Sequence, residues 1–234
     1  PPVPLETFFQ GQGHQNLGED VWLAASCVGH KSRELSEFLE TNKERVLPLM
    51  SWREEDCFRD MPVNYADTLG EDRLFQSYFL FKNQPRLLKN YTMVLVDAGT
   101  FTTIDMVGAD GHLGGFILPG NQVYLDSFQR AALLPGTQAA DAARQPELTE
   151  GPPATTESAI LMGLNLVMRG AYTYIDQSLG DGPLAFITTG GHGQSHWKAI
   201  RKLDNSGNLL LPYNPHLIHE ALNYLAQEFI AENL

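Results

Sequence analysis

The stretch Met93–Gly120, MVLVDAGTFTTIDMVGADGHLGGFILPG, constrains the fold more tightly than any other part of the chain. The apolar run Met93–Val96 stops at Asp97-Ala98-Gly99-Thr100. Thr102–Val107 then alternates with the two-residue period of a second strand, and Gly108-Ala109-Asp110-Gly111 is a tight-turn signal. A strand that only filled a core would need neither the acid nor the glycines that follow before Pro119. A glycine-containing hairpin with an acid at its mouth is a candidate phosphate or metal site.

Elsewhere strand-like and helix-like segments alternate, which places the chain in the α/β class. Val21–Val28 reads as a buried strand, and a hydroxyl-capped helix after Ser32 carries Leu35, Phe38 and Leu39 on one side. Arg45–Trp52 reads as a short edge strand interrupted by Pro48. Leu74, Phe75, Tyr78 and Phe79 predict a helix that starts at Gly70-Glu71-Asp72-Arg73, and helices are expected over Val123–Leu133 and from Thr156. In the latter, Ile160, Leu164, Val167, Ala171 and Tyr174 form one stripe. Arg144–Pro153 is a polar, proline-bearing surface loop. Leu184–Thr189 is a strand ending in Gly190-Gly191, and Asn214-Pro215 opens a last helix with Ile218, Leu222, Leu225 and Phe229 inward. A domain boundary is expected near Asn90, separating residues 1–90 from 91–234.

The 234 residues, 43% of them apolar, suffice for real cores. Lys and Arg number 16 against 28 Asp and Glu, a net charge of −12. That balance opposes nonspecific binding to nucleic acid or anionic membrane, which rests on clustered basic side chains. A polyanionic ligand would need backbone amides or a bound cation. Cys27 and Cys57 lack CxxC spacing, so neither a disulfide framework nor a structural zinc site is indicated, and a reduced cytoplasm fits best. No apolar run approaches the ~20 residues of a membrane span, and the Asn90-Tyr91-Thr92 sequon reads as chance.

Gly29-His30-Lys31-Ser32 only echoes a P-loop and reads as a strand-to-helix turn. Gly190-Gly191-His192-Gly193 is either a glycine turn that brings backbone close to a ligand or a plain loop. The pairs His192/His196 and His216/His219 lack a third ligand at recognisable spacing, and no GxSxG elbow occurs. Asp97 and Asp72 remain. Taken singly, each could be a surface cap.

Taken together, the motifs resemble those of type III pantothenate kinases, within the superfamily of acetate and sugar kinases, heat-shock chaperones and actin. That family's second phosphate hairpin runs approximately DxGTxxTxDxxxxxGxxxGGxIxPG. Asp97, Gly99-Thr100, Thr103, Asp105, Gly111, Gly114-Gly115, Ile117 and Pro119-Gly120 reproduce it. Gly70-Glu71-Asp72-Arg73 is similar to its GxDR, Ala132-Leu133-Leu134-Pro135 to its TAxLP, and Thr155-Thr156 with Gly163 and Gly170 to its NTxxxxxxG region. Thr189-Gly190-Gly191 is similar to its TGG, and Asn214-Pro215-His216-Leu217 to its DPxL ending.

The resemblance implies two ribonuclease H-like domains of the actin-like ATPase kind, with mixed sheets flanked by helices and the first domain N-terminally incomplete. It implies ATP-dependent phosphorylation of pantothenate, the first step of coenzyme A biosynthesis, in the cytoplasm. Asp72 would be the general base. Gly70, Glu71, Arg73 and Thr156 would hold pantothenate, Glu71 standing where small residues are commoner. Tyr65 is a further candidate, five residues before Gly70 where the family tyrosine lies seven before. Asp97 would ligate a monovalent cation, potassium or ammonium, while Thr100, Gly99, Gly190 and Gly191 would meet ATP with its Mg²⁺. A homodimer with the pocket at its interface is implied, Thr156 serving the neighbouring chain. The family's first hairpin, DxGNTxxK, has no counterpart between Pro1 and Val21, and an upstream segment carrying it is expected. The alternative is a catalytically defective relative that binds a metabolite or regulates a partner.

Overall fold

The computed structural model describes residues 22–26, 33–132, 152–178, 182–202 and 207–233. Outside them lie Val21 and residues 27–32 of the expected first strand and turn, residues 133–135 of the TAxLP match, and residues 144–151 of the expected loop.

A five-stranded mixed sheet organises the fold. Its strands are β3 (Thr92–Ala98), β4 (Phe101–Gly108), β5 (Gly111–Pro119), β6 (Leu184–Thr189) and β7 (Leu209–Leu210), preceded by a small antiparallel pair of β1 (Cys57–Phe58) and β2 (Met61–Pro62). The order is β5-β4-β3-β6-β7; β3, β4 and β5 are antiparallel neighbours, while β6 and β7 run parallel to β3 and to β6 respectively. This is the mixed sheet of a ribonuclease H-like α/β fold, as expected. The run Met93–Val96 occupies its centre with every residue buried, which is why it is continuously apolar and not alternating.

Seven helices flank the strands in the described residues: α1 (Arg33–Thr41), α2 (Glu71–Asn83), α3 (Pro85–Leu88), α4 (Asn121–Ala132), α5 (Thr156–Ser178), α6 (Gly193–Arg201) and α7 (Leu217–Asn233). On one sheet face, Val94, Val96, Ile104, Met106 and Phe186 pack against Leu125 of α4 and the buried side of α5. On the other, Met93, Leu95, Val107, Ala185 and Ile187 meet Leu80 of α2, Leu88 of α3 and Leu217 of α7. Beyond α2 a third cluster joins Leu47, Leu49, Phe58, Met61, Phe75 and Tyr78 to Ala221 and Leu225 of α7. The last helix therefore completes a core built mainly from residues before Asn90. It begins at Leu217, two residues after Pro215, because the Asn214 side chain first accepts the His216 N–H at 3.0 Å in a turn.

Two expectations change. Arg45–Trp52 is not a strand: only Val46 pairs, in a single parallel bridge with Leu23, and Leu49–Trp52 is a 3₁₀ turn. Pro48 offers no N–H to a ladder, and its restricted φ suits the start of a turn. In α5, Ile160, Leu164 and the partly buried Ala171 face the sheet as expected, but the same face also takes Leu161, Met168, Tyr172 and Ile175. Val167 and Tyr174 are 41% and 52% exposed. At 3.6 residues per turn the sheet-facing arc lies roughly 60° around from the expected stripe.

Leu225 is fully buried among the aromatic side chains of the third cluster. Leu225→Ala should cost about 2–5 kcal/mol of unfolding free energy. Urea denaturation followed by tryptophan fluorescence, with Trp52 packed 5.3 Å from Phe229 of α7, reads both the loss and the loosening of that helix.

Candidate active site

The β3 run ends at Asp97 on the face already carrying Met93 and Leu95, so its carboxylate points toward α2 and not toward α5. Antiparallel pairing sets Asp97 opposite Thr103 and Leu95 opposite Asp105, which brings Asp105 to the same face. α2 lies across these positions. Its N-terminus has no side-chain cap: Gly70 is the extended residue before the first turn, and Glu71 and Asp72 stand in that turn, where the helix dipole favours acids.

Two side chains of α2 reach the carboxylates of β3 and β4, and a third stays on the helix. Gln76, fully buried, donates through Nε2 to Asp97 Oδ2 at 2.8 Å. Arg73, only 4% exposed, donates Nε to Asp105 Oδ2 at 2.9 Å and Nη2 to Asp105 Oδ1 at 2.7 Å. Asp72 turns back on its own helix, Oδ1 accepting the Arg73 N–H at 2.8 Å. On the far side of Asp105, His112 Nε2 lies 2.8 Å from Oδ1, and Tyr65 covers the group, its ring 5.0 Å from the Arg73 guanidinium carbon.

The electrostatics follow from burial. Desolvation pushes the Asp72 carboxyl above the usual carboxylate range, with the Asp105 charge adding to it and the Arg73 N–H and cation opposing it. Desolvation also raises Asp97, reinforced by the charges of Asp72 and Asp105 and opposed by the Gln76 bond. Asp97 thus feels Asp72: the two carboxylates share one electrostatic environment between the start of α2 and the end of β3.

The Gly99-Thr100 turn and Gly190-Gly191 converge on that end. Thr189 pairs with Asp97 in the parallel β3–β6 register, and the chain then returns over Ala98, whose carbonyl accepts the His192 N–H at 2.9 Å. Gly190 has φ +80°, and a Cβ there would lie 2.5 Å from Asp97 Oδ1 and 2.6 Å from the Ala98 carbonyl oxygen. Only glycine keeps that cradle open. Thr100 is exposed beside it. The carboxyl ends of adjacent parallel strands, followed by the N-terminus of α6, form the place where open α/β sheets receive ligands and where helix amides favour an anion.

Thr156 stands apart. It is the exposed first residue of α5, capped by Thr155, whose hydroxyl accepts the Ser158 N–H at 3.2 Å. α5 packs on the sheet face opposite α2. Nor do the histidine pairs make a site. His196 is buried against the Tyr172 hydroxyl at 2.5 Å, and burial with the nearby His192 lowers it to about 4. The described residues include no group of three or more His, Cys, Asp or Glu placed to hold a metal, and no described helix is long and apolar enough to cross a membrane.

Residues 3–177 match the profile of type III pantothenate kinases. The chain belongs to the type III pantothenate kinase family. Relatives include the type III pantothenate kinases of Lawsonia intracellularis, 30% identical over 151 residues covering 64% of this chain and 51% of that one, and of Rhodopirellula baltica, 34% identical over 143 residues covering 58% and 48%. That of Methylibium petroleiphilum is 37% identical over 191 residues, 77% of this chain and 67% of its own. The chain thus spans about half the length of the first two relatives. Among solved structures, a Campylobacter jejuni protein named for a Baf family of transcriptional activators superposes with a TM-score of 0.54 at 25% identity, covering 87% of this chain and 81% of its own.

Sequence motifs located Asp72, Asp97 and the glycine turns, but assigned no role to Gln76, Asp105 or His112. The signal for Gln76 was present as the polar pair Gln76-Ser77 inside the otherwise apolar run Leu74–Phe81. Since the folded state holds the Asp72 carboxyl above its ordinary value of 3.8, it favours the protonated form; the resulting stability is complete below that value and is lost as pH rises through the raised one. Asp72→Asn keeps an acceptor for the Arg73 N–H without the charge. It should melt higher than the parent protein near pH 7, the gap closing toward about pH 4 in a thermal series.

Proposed function

We propose that this family member catalyses ATP-dependent phosphorylation of pantothenate to 4'-phosphopantothenate, the opening step of coenzyme A biosynthesis, with Asp72 as the general base. The reading is carried by the half-buried Asp72 carboxyl, raised by desolvation and facing the same environment as Asp97 at the ends of β3 and β6. A general base works best when its pKa approaches the working pH, and burial moves this carboxyl that way. It would accept the proton of the substrate's primary hydroxyl as that oxygen bonds to the terminal phosphorus of ATP and the bond from that phosphorus to the bridging oxygen breaks, releasing ADP.

Phosphoryl transfer asks the protein mainly for in-line placement and for a field that offsets charge on the transferred oxygens. The Gly99-Thr100 turn, Gly190-Gly191 and the amides opening α6 would take the ATP phosphates, standing in for the basic patch that a chain of net charge −12 lacks. Asp97 Oδ1 and the Ala98 carbonyl, kept open by Gly190, are hard oxygen donors suited to potassium or ammonium. Mg²⁺ arriving with ATP would supply charge neutralisation at the phosphates. Gly70, Glu71 and Tyr65 would border pantothenate, with Arg73 behind them.

Residues 1–90 and 91–234 would act as two lobes in the cytoplasm, with α7 tying the second to the first. Thr156, across the sheet from Asp72, would serve the pocket of a second copy in a homodimer. On α5, Leu166, Val167 and Tyr174 are 57%, 41% and 52% exposed and supply an apolar face for that contact.

ADP release should depend on pantothenate together with ATP, Mg²⁺ and potassium, and Asp72→Ala should lower kcat by about 10²–10⁴-fold while nucleotide still binds. Absent ADP release, with calorimetric binding intact, would mark a binding protein instead. Leu166→Glu should shift sedimentation from dimer to monomer and depress turnover with it.

A further inference from the structure

We propose that Arg73, Asp105 and His112 form a buried clamp that aims the Asp72 carboxylate, acting as positioning residues. This rests on the reading of Asp72 as the base. The three side chains are almost sealed from solvent, at 4%, 0% and 1% exposure. The resemblance implied that Arg73 holds pantothenate, but its guanidinium gives Nε and Nη2 to Asp105, and Nη1 lies 3.5 Å from the Tyr65 hydroxyl. The cation is committed inside the protein.

The link to Asp72 is one peptide long. Asp72 Oδ1 is held by the backbone N–H of Arg73, the residue whose side chain is fixed to β4. The first turn of α2, which has no side-chain cap of its own, is therefore referenced to the sheet through the Arg73–Asp105 pair. His112 extends the reference to β5. Asp105 is an acceptor already engaged by Arg73, so the hydrogen-bond network assigns the proton to His112 Nε2. That tautomer leaves Nδ1 buried without a partner among the described residues, a cost that an apolar residue packed under Tyr65 would avoid. β5 is bare where it crosses the pair: a Cβ on Gly115 would lie 2.7 Å from Asp105 Oδ1 and 2.8 Å from Arg73 Nη2.

His112→Phe keeps an aromatic ring beside Tyr65 but no N–H, whereas His112→Gln keeps a donor. The clamp predicts that His112→Phe lowers kcat by about 10- to 100-fold with KM for pantothenate held within about twofold, and that His112→Gln recovers kcat to within about threefold of the parent. A rise in KM at unchanged kcat, or equal losses in both variants, overturns it. Hydrogen exchange at the amides of Arg73 and Leu74, recorded without nucleotide, gives a reading that needs no turnover. Exchange should quicken in His112→Phe and return toward the parent rate in His112→Gln; identical rates in all three proteins refute the clamp even if the kinase reading stands. Conversely, quickened exchange in a protein that makes no ADP supports the clamp and rejects the kinase reading. Should His112→Phe not fold, the double variant Arg73→Met, Asp105→Leu, which removes both charges together, carries the same exchange test with the same deciding outcomes.

Discussion

The ion pair between Arg73 and Asp105 is the constraint on which the rest of the site depends. Asp105 has no exposed surface and Arg73 almost none, so each charge exists only because the other is present in good geometry. Removing one partner of such a pair typically costs about 3–5 kcal/mol, because the survivor is left buried and uncompensated. The pair also joins two elements that contribute different chemistry. α2 carries Asp72, and the β3–β4 hairpin carries Asp97 and the Gly99-Thr100 turn.

From that junction the electrostatic character of the site follows. Three carboxylates, Asp72, Asp97 and Asp105, gather on one face of the sheet, and the cation within the group is spent on Asp105. Asp72 and Asp97 are consequently held toward their protonated forms by burial and by one another's surroundings. An arrangement of this kind leaves an unmet demand for positive charge at the strand ends. Backbone amides and a hard cation among oxygen donors meet such a demand without a basic patch, which agrees with an acidic chain in a family named for phosphorylating pantothenate.

The glycines of Met93–Gly120 are more varied in purpose than a phosphate cradle alone would require. Gly115 makes room for the Arg73–Asp105 pair, an internal task, whereas Gly190, from a different segment, keeps the space beside Asp97 open. Glycine in sequence signals close approach, but not what approaches. The same ambiguity affected α5. Its apolar residues surround much of the helix, so periodicity identified a helix without fixing which arc meets the sheet, and Val167 and Tyr174 turned outward.

By itself the sequence determined the α/β class, the strands β3 and β4 with the turn that follows them, the start of α2 at Gly70, and the candidacy of Asp72 and Asp97. Each of these is written in local signals: a two-residue alternation, a glycine turn, an acid at a helix start or a strand end. Tertiary structure alone decided that Arg73 would be consumed by Asp105, 32 residues away, that His112 would stand behind it, and that α7 would close the core begun by Leu47 and Phe58. Those outcomes depend on strand register and on which helix crosses which face of the sheet. Register converts distant positions into neighbours, and no local periodicity encodes the partner of a buried charge.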